Sequence, residues 1–259
     1  SLISHNYKNN YIEINDFGDL TVFKKFKKKS TNRKKFYIRI LDLLIKIRKI
    51  KTKNQKTFLR SNFKVPNYTT KKLLEEAELF SDWYLPRYFE NKKKKFLKNK
   101  LRKIFKKLLK KISYKDKVFV HRDFHVSNIM ITKKGLGLID SQDALYGNIA
   151  YDLASLIDDV RLRTSLKIKD FIFDEFLKKN KKLNFERFKK DFEILSVLRI
   201  LKIIGIFTRL SVRDKKNNYL KLIPYAWELI ELRTRKNPIF KDLNFLLSKN
   251  FDKKTRKSI

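Results

Sequence analysis

Residues 120–140 read VHRDFHVSNIMITKKGLGLID, and this stretch decides the fold. Asp123 is followed five positions later by Asn128, and Asp140 closes the next apolar run. Such a set suits phosphoryl transfer. One carboxylate orients an attacking hydroxyl and takes its proton, while an amide oxygen and a second carboxylate hold the metal ions that neutralise the phosphates. Strands are expected at 117–120, 129–132 and 136–139, with a loop at 120–128 and a turn at 133–135 between them. Asp140 then emerges at a strand end, where a ligand is held rigidly. Asn128 offers a neutral oxygen, suited to a hard Mg²⁺ that keeps several waters.

The 259 residues are enough for one large core or two modest ones. Hydrophobic residues make up 42% and aromatics 14%, which excludes disorder as the class. No apolar run approaches the ~18 residues a membrane span needs, and the basic N-terminal portion lacks the apolar core of a secretory signal. Without cysteine there is no disulfide framework and no thiolate metal site. A cytoplasmic monomer is the expectation. The charge of +38 is large enough to attract polyanions. Its lysines are spread along the chain rather than set beside base-stacking aromatics, so no specific nucleic-acid role is expected. A field that draws in anionic ATP remains compatible with this distribution.

Working outward, two short strands are expected near Leu2–His5 and Tyr11–Ile14, then a breaker cluster at Asn15, Asp16 and Gly18. Helical spacing covers 33–50, a helix capped by Thr69–Thr70 runs to about Tyr84, and another covers 94–112. Beyond Ala150 everything reads helical: 151–163, 171–179, 185–210, 219–232 and 239–249. The fold class is therefore α+β, with little β structure and a catalytic loop on a mostly helical lobe.

The residues around the set carry competing readings. His121 and His125 with Asp123 have the types for zinc, but the third histidine, His5, is distant and no H-E-x-x-H pattern exists. Otherwise His121 braces the loop, and His125 is either packed or near the acceptor. Gln142 and Asp143 follow Asp140 by two and three positions, placing them towards an acceptor pocket, and Gly147 permits a tight turn before the next helix. Asp152, near that helix's start, either caps it or receives N–H groups from the loop. Arg161 either reaches an acceptor's polar group or pairs with Asp158.

The H-R-D-x-x-x-x-N spacing followed by a separate Asp is the protein-kinase pattern. His121, Asp123, Asn128 and Asp140 together resemble the aminoglycoside phosphotransferase/choline kinase superfamily, of protein-kinase-like fold. IDSQDALYGNIAYDLASLIDDVR (139–161) is similar to the bacterial N-acetylmuramate/N-acetylglucosamine anomeric kinases of cell-wall recycling, and so are Val65–Pro86, carrying Glu76 and Trp83, and Arg199–Pro224. The resemblance starts at the hinge strand Tyr11–Asp19 and runs almost to the end of the chain. It implies an ATP-dependent small-molecule kinase with Mg²⁺, Asp123 as catalytic base, and Asn128 and Asp140 as metal ligands. Ile14, Asn15 and Asp16 would hold the adenine, and Gln142, Asp143, Arg161 and His125 would lie towards a small hydroxylated acceptor, an amino sugar. Ser141 stands where the usual residue is Phe, and Asn148 where it is Pro.

That resemblance divides the chain into residues 1–19, a remnant of an N-lobe and hinge, and 20–259, a helical C-lobe. The C-lobe holds the loop 120–128 and a metal segment 136–143. None of the five glycines forms a G-x-G-x-x-G phosphate cover, so a chain truncated in its N-lobe is expected. Other acceptors of the same superfamily, an aminoglycoside or choline, stay open. An inactive fragment, or a basic nucleic-acid binder on a kinase-like scaffold, stays open too.

Overall fold

The computed structural model describes residues 2–28, 31–51, 55–56, 62–113, 115 and 117–257. Local side-chain chemistry starts its early helices: α1 (Val22–Phe26) behind Thr21, α2 (Arg33–Arg48) behind Asn32, and α3 (Thr70–Leu79) behind Thr69. In each case the cap's side-chain oxygen accepts the N–H three residues on, satisfying an otherwise orphaned donor. A single π turn, Phe80–Tyr84, carries α3 onwards, and α4 (Asn91–Leu109) follows. Later come α5 (Tyr151–Ile157), α6 (Leu166–Lys178), α7 (Phe185–Asp214), α8 (Ile223–Thr234), α9 (Lys241–Asn250) and α10 (Lys253–Lys257).

The 30-residue α7 is the axis of the helical body. Leu195–Gly205 is buried on every side, polar Ser196, Arg199 and Lys202 included, as expected of a helix surrounded by others. It packs against α3, α5, α8 and the π turn. Gly205 makes one contact possible. A Cβ there would come within 2.3 Å of the Leu79 carbonyl, so only glycine lets the end of α3 lie against α7. Beside that contact Phe80, Tyr84, Trp227 and Phe251 interlock, and Trp227 Nε1 donates to Tyr84 Oη at 3.1 Å.

The strands form short antiparallel ribbons. β1 (Leu2–Asn6) pairs with β2 (Tyr11–Ile14), and β3 (Gln55–Lys56) with β4 (Asn62–Phe63). Of the remaining four, β5 (Lys117–Val120) pairs with β8 (Leu145–Asn148), and β6 (Ile129–Thr132) with β7 (Gly135–Leu138). The β6–β7 ribbon is nested in the chain between the two strands of the other, β5 and β8. The chain must therefore cross between these ribbons twice, once through 121–128 and once through 139–144. Those two crossings carry Asp123, Asn128 and Asp140.

Several expectations shift. Gly147 lies inside β8, not in a turn. A Cβ there would meet Tyr68 Cβ at 2.9 Å, because residues 66–68 run alongside through Tyr68 N–H to Tyr146 O and Tyr146 N–H to Pro66 O. The helix read over 151–163 stops at Ile157. Asp158, wholly buried, turns out of helical geometry and takes Lys169, Arg233 and Ser196 as partners from α6, α8 and α7. Those charges outweigh burial and hold its carboxyl far below the ordinary range. Arg161 pairs with Asp159, not Asp158. The helix expected from 219 begins as a 3₁₀ turn, and α8 proper starts at Ile223, with Pro224 in its first turn.

Candidate active site

The loop after β5 is held from below by one carboxylate. Asp152, on the first turn of α5 and 2% exposed, accepts His121 N–H at 2.7 Å through Oδ2 and Arg122 N–H at 3.0 Å through Oδ1. Burial pushes its carboxyl up to about 7, against those two amides and the charge of Arg199. His121 is fully buried, and its Nε2 shares a hydrogen bond with the Ile139 carbonyl at 3.0 Å, tying the first crossing to the second.

The three residues of the set converge. Asn128 Nδ2 donates to the Asp123 carbonyl at 3.1 Å and lies 3.5 Å from Asp140 Oδ2. Ile139 N–H donates to the Asn128 carbonyl at 3.1 Å. Committing its amide N–H₂ in this way leaves Asn128 Oδ1 without a donor among the described residues. Beside it stands the Asp140 carboxylate. This all-oxygen pair fits a hard divalent cation that completes its shell with water and phosphate oxygens. Two non-glycine residues here have left-handed backbones, Arg122 at φ 75° and Asp140 at φ 69°. Conformations of that kind cost of order 1–3 kcal/mol each, persist only where surroundings impose them, and cluster at functional sites.

The flanking residues are placed as follows. Gln142 turns back, donating to Asp140 Oδ1 at 2.6 Å. The Asp143 carbonyl accepts from Arg122 Nη1 at 2.9 Å, while its carboxylate is largely exposed. His125 is 4% exposed, and burial, followed by the charges of Arg161 and Arg199, drives its pKa well below the usual value. Both effects favour the uncharged imidazole over the cation. Arg161 lies over the Phe207 ring, and its buried Nη1 stands 3.6 Å from Asp159 Oδ1 as an ion pair, without a hydrogen-bond partner among the described residues. Among these residues no group of three His, Cys, Asp or Glu is placed to hold a metal, so His121 and His125 share no such cluster.

The hinge expected at 14–16 is exposed, with Asp16 Oδ1 accepting Gly18 N–H at 2.7 Å. What joins it to the site is the next residue. Phe17 lies on β7 so closely that a Cβ at Gly137 would meet its ring at 2.8 Å. The chain then runs along β6, with Ile131 N–H donating to Leu20 O at 2.8 Å and Phe23 N–H to Val126 O at 3.0 Å.

Sequence reasoning left a buried ionic cluster under the loop unassigned. Glu76 of α3 binds Arg122 through Oε1, and Lys202 of α7 and the Tyr68 hydroxyl through Oε2. Burial raises the Glu76 carboxyl, but Lys202 and Arg122 outweigh it and hold the group below its ordinary value. In the sequence, Arg122 adjoins Asp123 and Glu76 stands in the family-like segment Val65–Pro86, but nothing joins the two, which lie 46 residues apart.

The sequence profile described as "phosphotransferase enzyme family" matches residues 27–174, more than half of the chain. The chain belongs to that family. Two curated N-acetylmuramate/N-acetylglucosamine kinases are similar to it. That of Neisseria meningitidis is 32% identical over 169 residues, 62% of this chain and 50% of the relative. That of Pseudomonas aeruginosa is 29% identical over 190 residues, 71% and 56%. This family member thus spans about half the length of the relatives it matches. Among solved structures, the ethanolamine kinase of Plasmodium vivax superposes with a TM-score of 0.57 at 14% identity, over 89% of this chain and 66% of that one. An AMP-bound spectinomycin phosphotransferase gives 0.51 at 14%, over 90% and 70%. These two likenesses give the kinase-like α+β fold.

Proposed function

We propose that this family member works in ATP-dependent transfer of the γ-phosphoryl group to a hydroxyl of a small molecule, and that the acceptor is the anomeric hydroxyl of an amino sugar. The observation that carries the reading is the convergence of Asp123, Asn128 and Asp140 at the two ribbon crossings, pinned by Asp152. The relatives named as N-acetylmuramate/N-acetylglucosamine kinases support the amino-sugar acceptor.

Asp123 would accept a hydrogen bond from the acceptor hydroxyl, align its oxygen with the γ-phosphorus and take the proton as the P–O bond forms. ADP leaves from the opposite side. Phosphoryl transfer passes through a loose transition state, so alignment and charge stabilisation supply most of the acceleration. Mg²⁺ held by Asn128 and Asp140 would offset negative charge on the phosphates. Phe17 on Gly137 fixes the segment 14–16 at the edge of β7, consistent with an adenine-side role for that segment. Arg161, ion-paired with Asp159 but with no hydrogen bond from Nη1, has donor capacity to spare for an acceptor's polar group.

The test is an acceptor screen with radiolabelled ATP and Mg²⁺. Phosphate on N-acetylmuramate or N-acetylglucosamine is expected. Phosphate on choline, ethanolamine or an aminoglycoside but on neither sugar would replace the acceptor assignment, and no transfer to any of them would contradict the activity.

A further inference from the structure

A left-handed backbone immediately before a catalytic carboxylate needs an external hold. Arg122 has a β-carbon and stands at φ 75°, a geometry that an L-residue leaves when nothing constrains it. Asp152 secures its N–H. The side chain is secured separately. Nη1 donates to the Asp143 carbonyl at 2.9 Å, Nη2 binds Glu76 Oε1 at 2.5 Å, and the guanidinium lies 5.5 Å from the Tyr68 ring centre. The fork of Arg122 therefore joins both ribbon crossings to α3.

Glu76 cannot follow the loop if the loop moves. Its second oxygen is fixed by Lys202 at 2.8 Å and by the Tyr68 hydroxyl. Lys202 belongs to α7, and α3 and α7 are locked by the backbone approach at Gly205. All three charged side chains of the cluster are nearly buried, at 12% exposure for Glu76, 13% for Arg122 and 11% for Lys202. In such a setting ion-pair geometry is tightly specified, because a displaced charge finds no water to replace its partner. The path from helical body to loop is thus continuous: α7, Lys202, Glu76, Arg122, Asp123.

We propose that Glu76 is a positioning residue, which acts through Arg122 to hold the backbone of Asp123 in its working geometry. It contacts neither of the two groups assigned to metal binding, Asn128 and Asp140, and its effect is transmitted. The proposal rests on Asp123 being the catalytic base. The competing role for Glu76 is a plain mortise between α3 and α7, in which Arg122 is incidental.

Two readouts separate these roles, and one does not need turnover. Hydrogen–deuterium exchange on the loop peptide around 120–128 reports the hold directly. Glu76→Gln should raise exchange of that peptide about tenfold while α3 and α7 keep their protection. It should also lower kcat roughly 100-fold with KM changed less than about twofold, the pattern of a misaligned base. Glu76→Asp should restore part of both. Lys202→Met, which removes the α7 partner but leaves Glu76 on Arg122 and the Tyr68 hydroxyl, should lower Tm and raise loop exchange much less than Glu76→Gln does. Should Glu76→Gln not yield folded protein, Arg122→Lys takes its place. It keeps the charge but cannot bridge Glu76 and the Asp143 carbonyl, and it should free the loop in the same way.

The proposal is overturned if Glu76→Gln, or Arg122→Lys in its place, leaves loop exchange at the wild-type level. It is equally overturned if Glu76→Gln and Lys202→Met both deprotect α3, α7 and the loop alike, the mark of a mortise. Wild-type protein without any transfer activity would remove the proposed function, and loop exchange would still show whether the clamp exists.

Discussion

Asp152 carries two backbone donors on one buried carboxyl, and that load has a measurable signature. Its carboxyl is pushed up to about 7, whereas in the unfolded chain it titrates near the usual value of about 4. Between those values the native state keeps a proton that the unfolded chain has released. Stability attributable to Asp152 therefore falls as pH rises through that window and levels off above about 7. Buried His121 and His125, whose pKa values burial lowers, add a slope of opposite sign over part of this range, so the Asp152 contribution is read as a difference. The urea midpoint of the wild type relative to that of Asp152→Asn should fall from about pH 5 to about pH 8. A difference that does not change with pH would place the titration on another group. At this scale the grouping of Asp123, Asn128 and Asp140 in space was legible because they lie within eighteen positions of one another, on one loop and one strand end. The holds behind it were not. Glu76 and Arg122 are joined across 46 residues and Arg122 and Asp152 across 30, distances at which sequence spacing carries no geometry.

Among the elements, the contact of α3 with α7 depends on a missing side chain. Gly205→Ala would set a methyl 2.3 Å from the Leu79 carbonyl, and helix backbones cannot absorb that without moving apart. A loss of about 1–3 kcal/mol is expected, seen in thermal melts as a fall in Tm of several degrees. An unchanged Tm would mean that α3 and α7 are less closely joined than described. Helical periodicity located α2, α3 and α4, each with an apolar face, and α7 through its long apolar run; α2, α3 and α7 also have side-chain caps. It failed at α5, where apolar spacing continued beyond Ile157 but the ion pairs of Asp158 ended the helix. It also missed β8, whose LYGN composition reads as a turn. What makes those residues a strand is pairing with β5, together with Tyr68 alongside.

For the whole molecule, the balance of 65 basic to 27 acidic residues leaves +38 on a body whose lysines lie mostly at its surface. Like charges at that density repel one another and favour expansion. Salt shortens the reach of the repulsion, from about 10 Å at 0.1 M to about 3 Å at 1 M. Raising NaCl from about 0.05 M to about 0.5 M should therefore raise Tm by several degrees, and a flat or falling Tm would show that the surface ion pairs matter more. At the same scale the kinase-like fold was legible through the resemblance carried by His121, Asp123, Asn128 and Asp140 and by the segments 139–161, 65–86 and 199–224, whereas the pairing of the ribbons was not. The most direct measurement is phosphate transfer from ATP to an amino sugar by the wild type and by Asp123→Asn, with Tm recorded for both. A fall of about 10²–10⁴-fold in kcat at near-constant Tm is expected when a general base is lost from an intact fold. Transfer by Asp123→Asn at the wild-type rate would contradict the assignment of Asp123 and, with it, the site built around it.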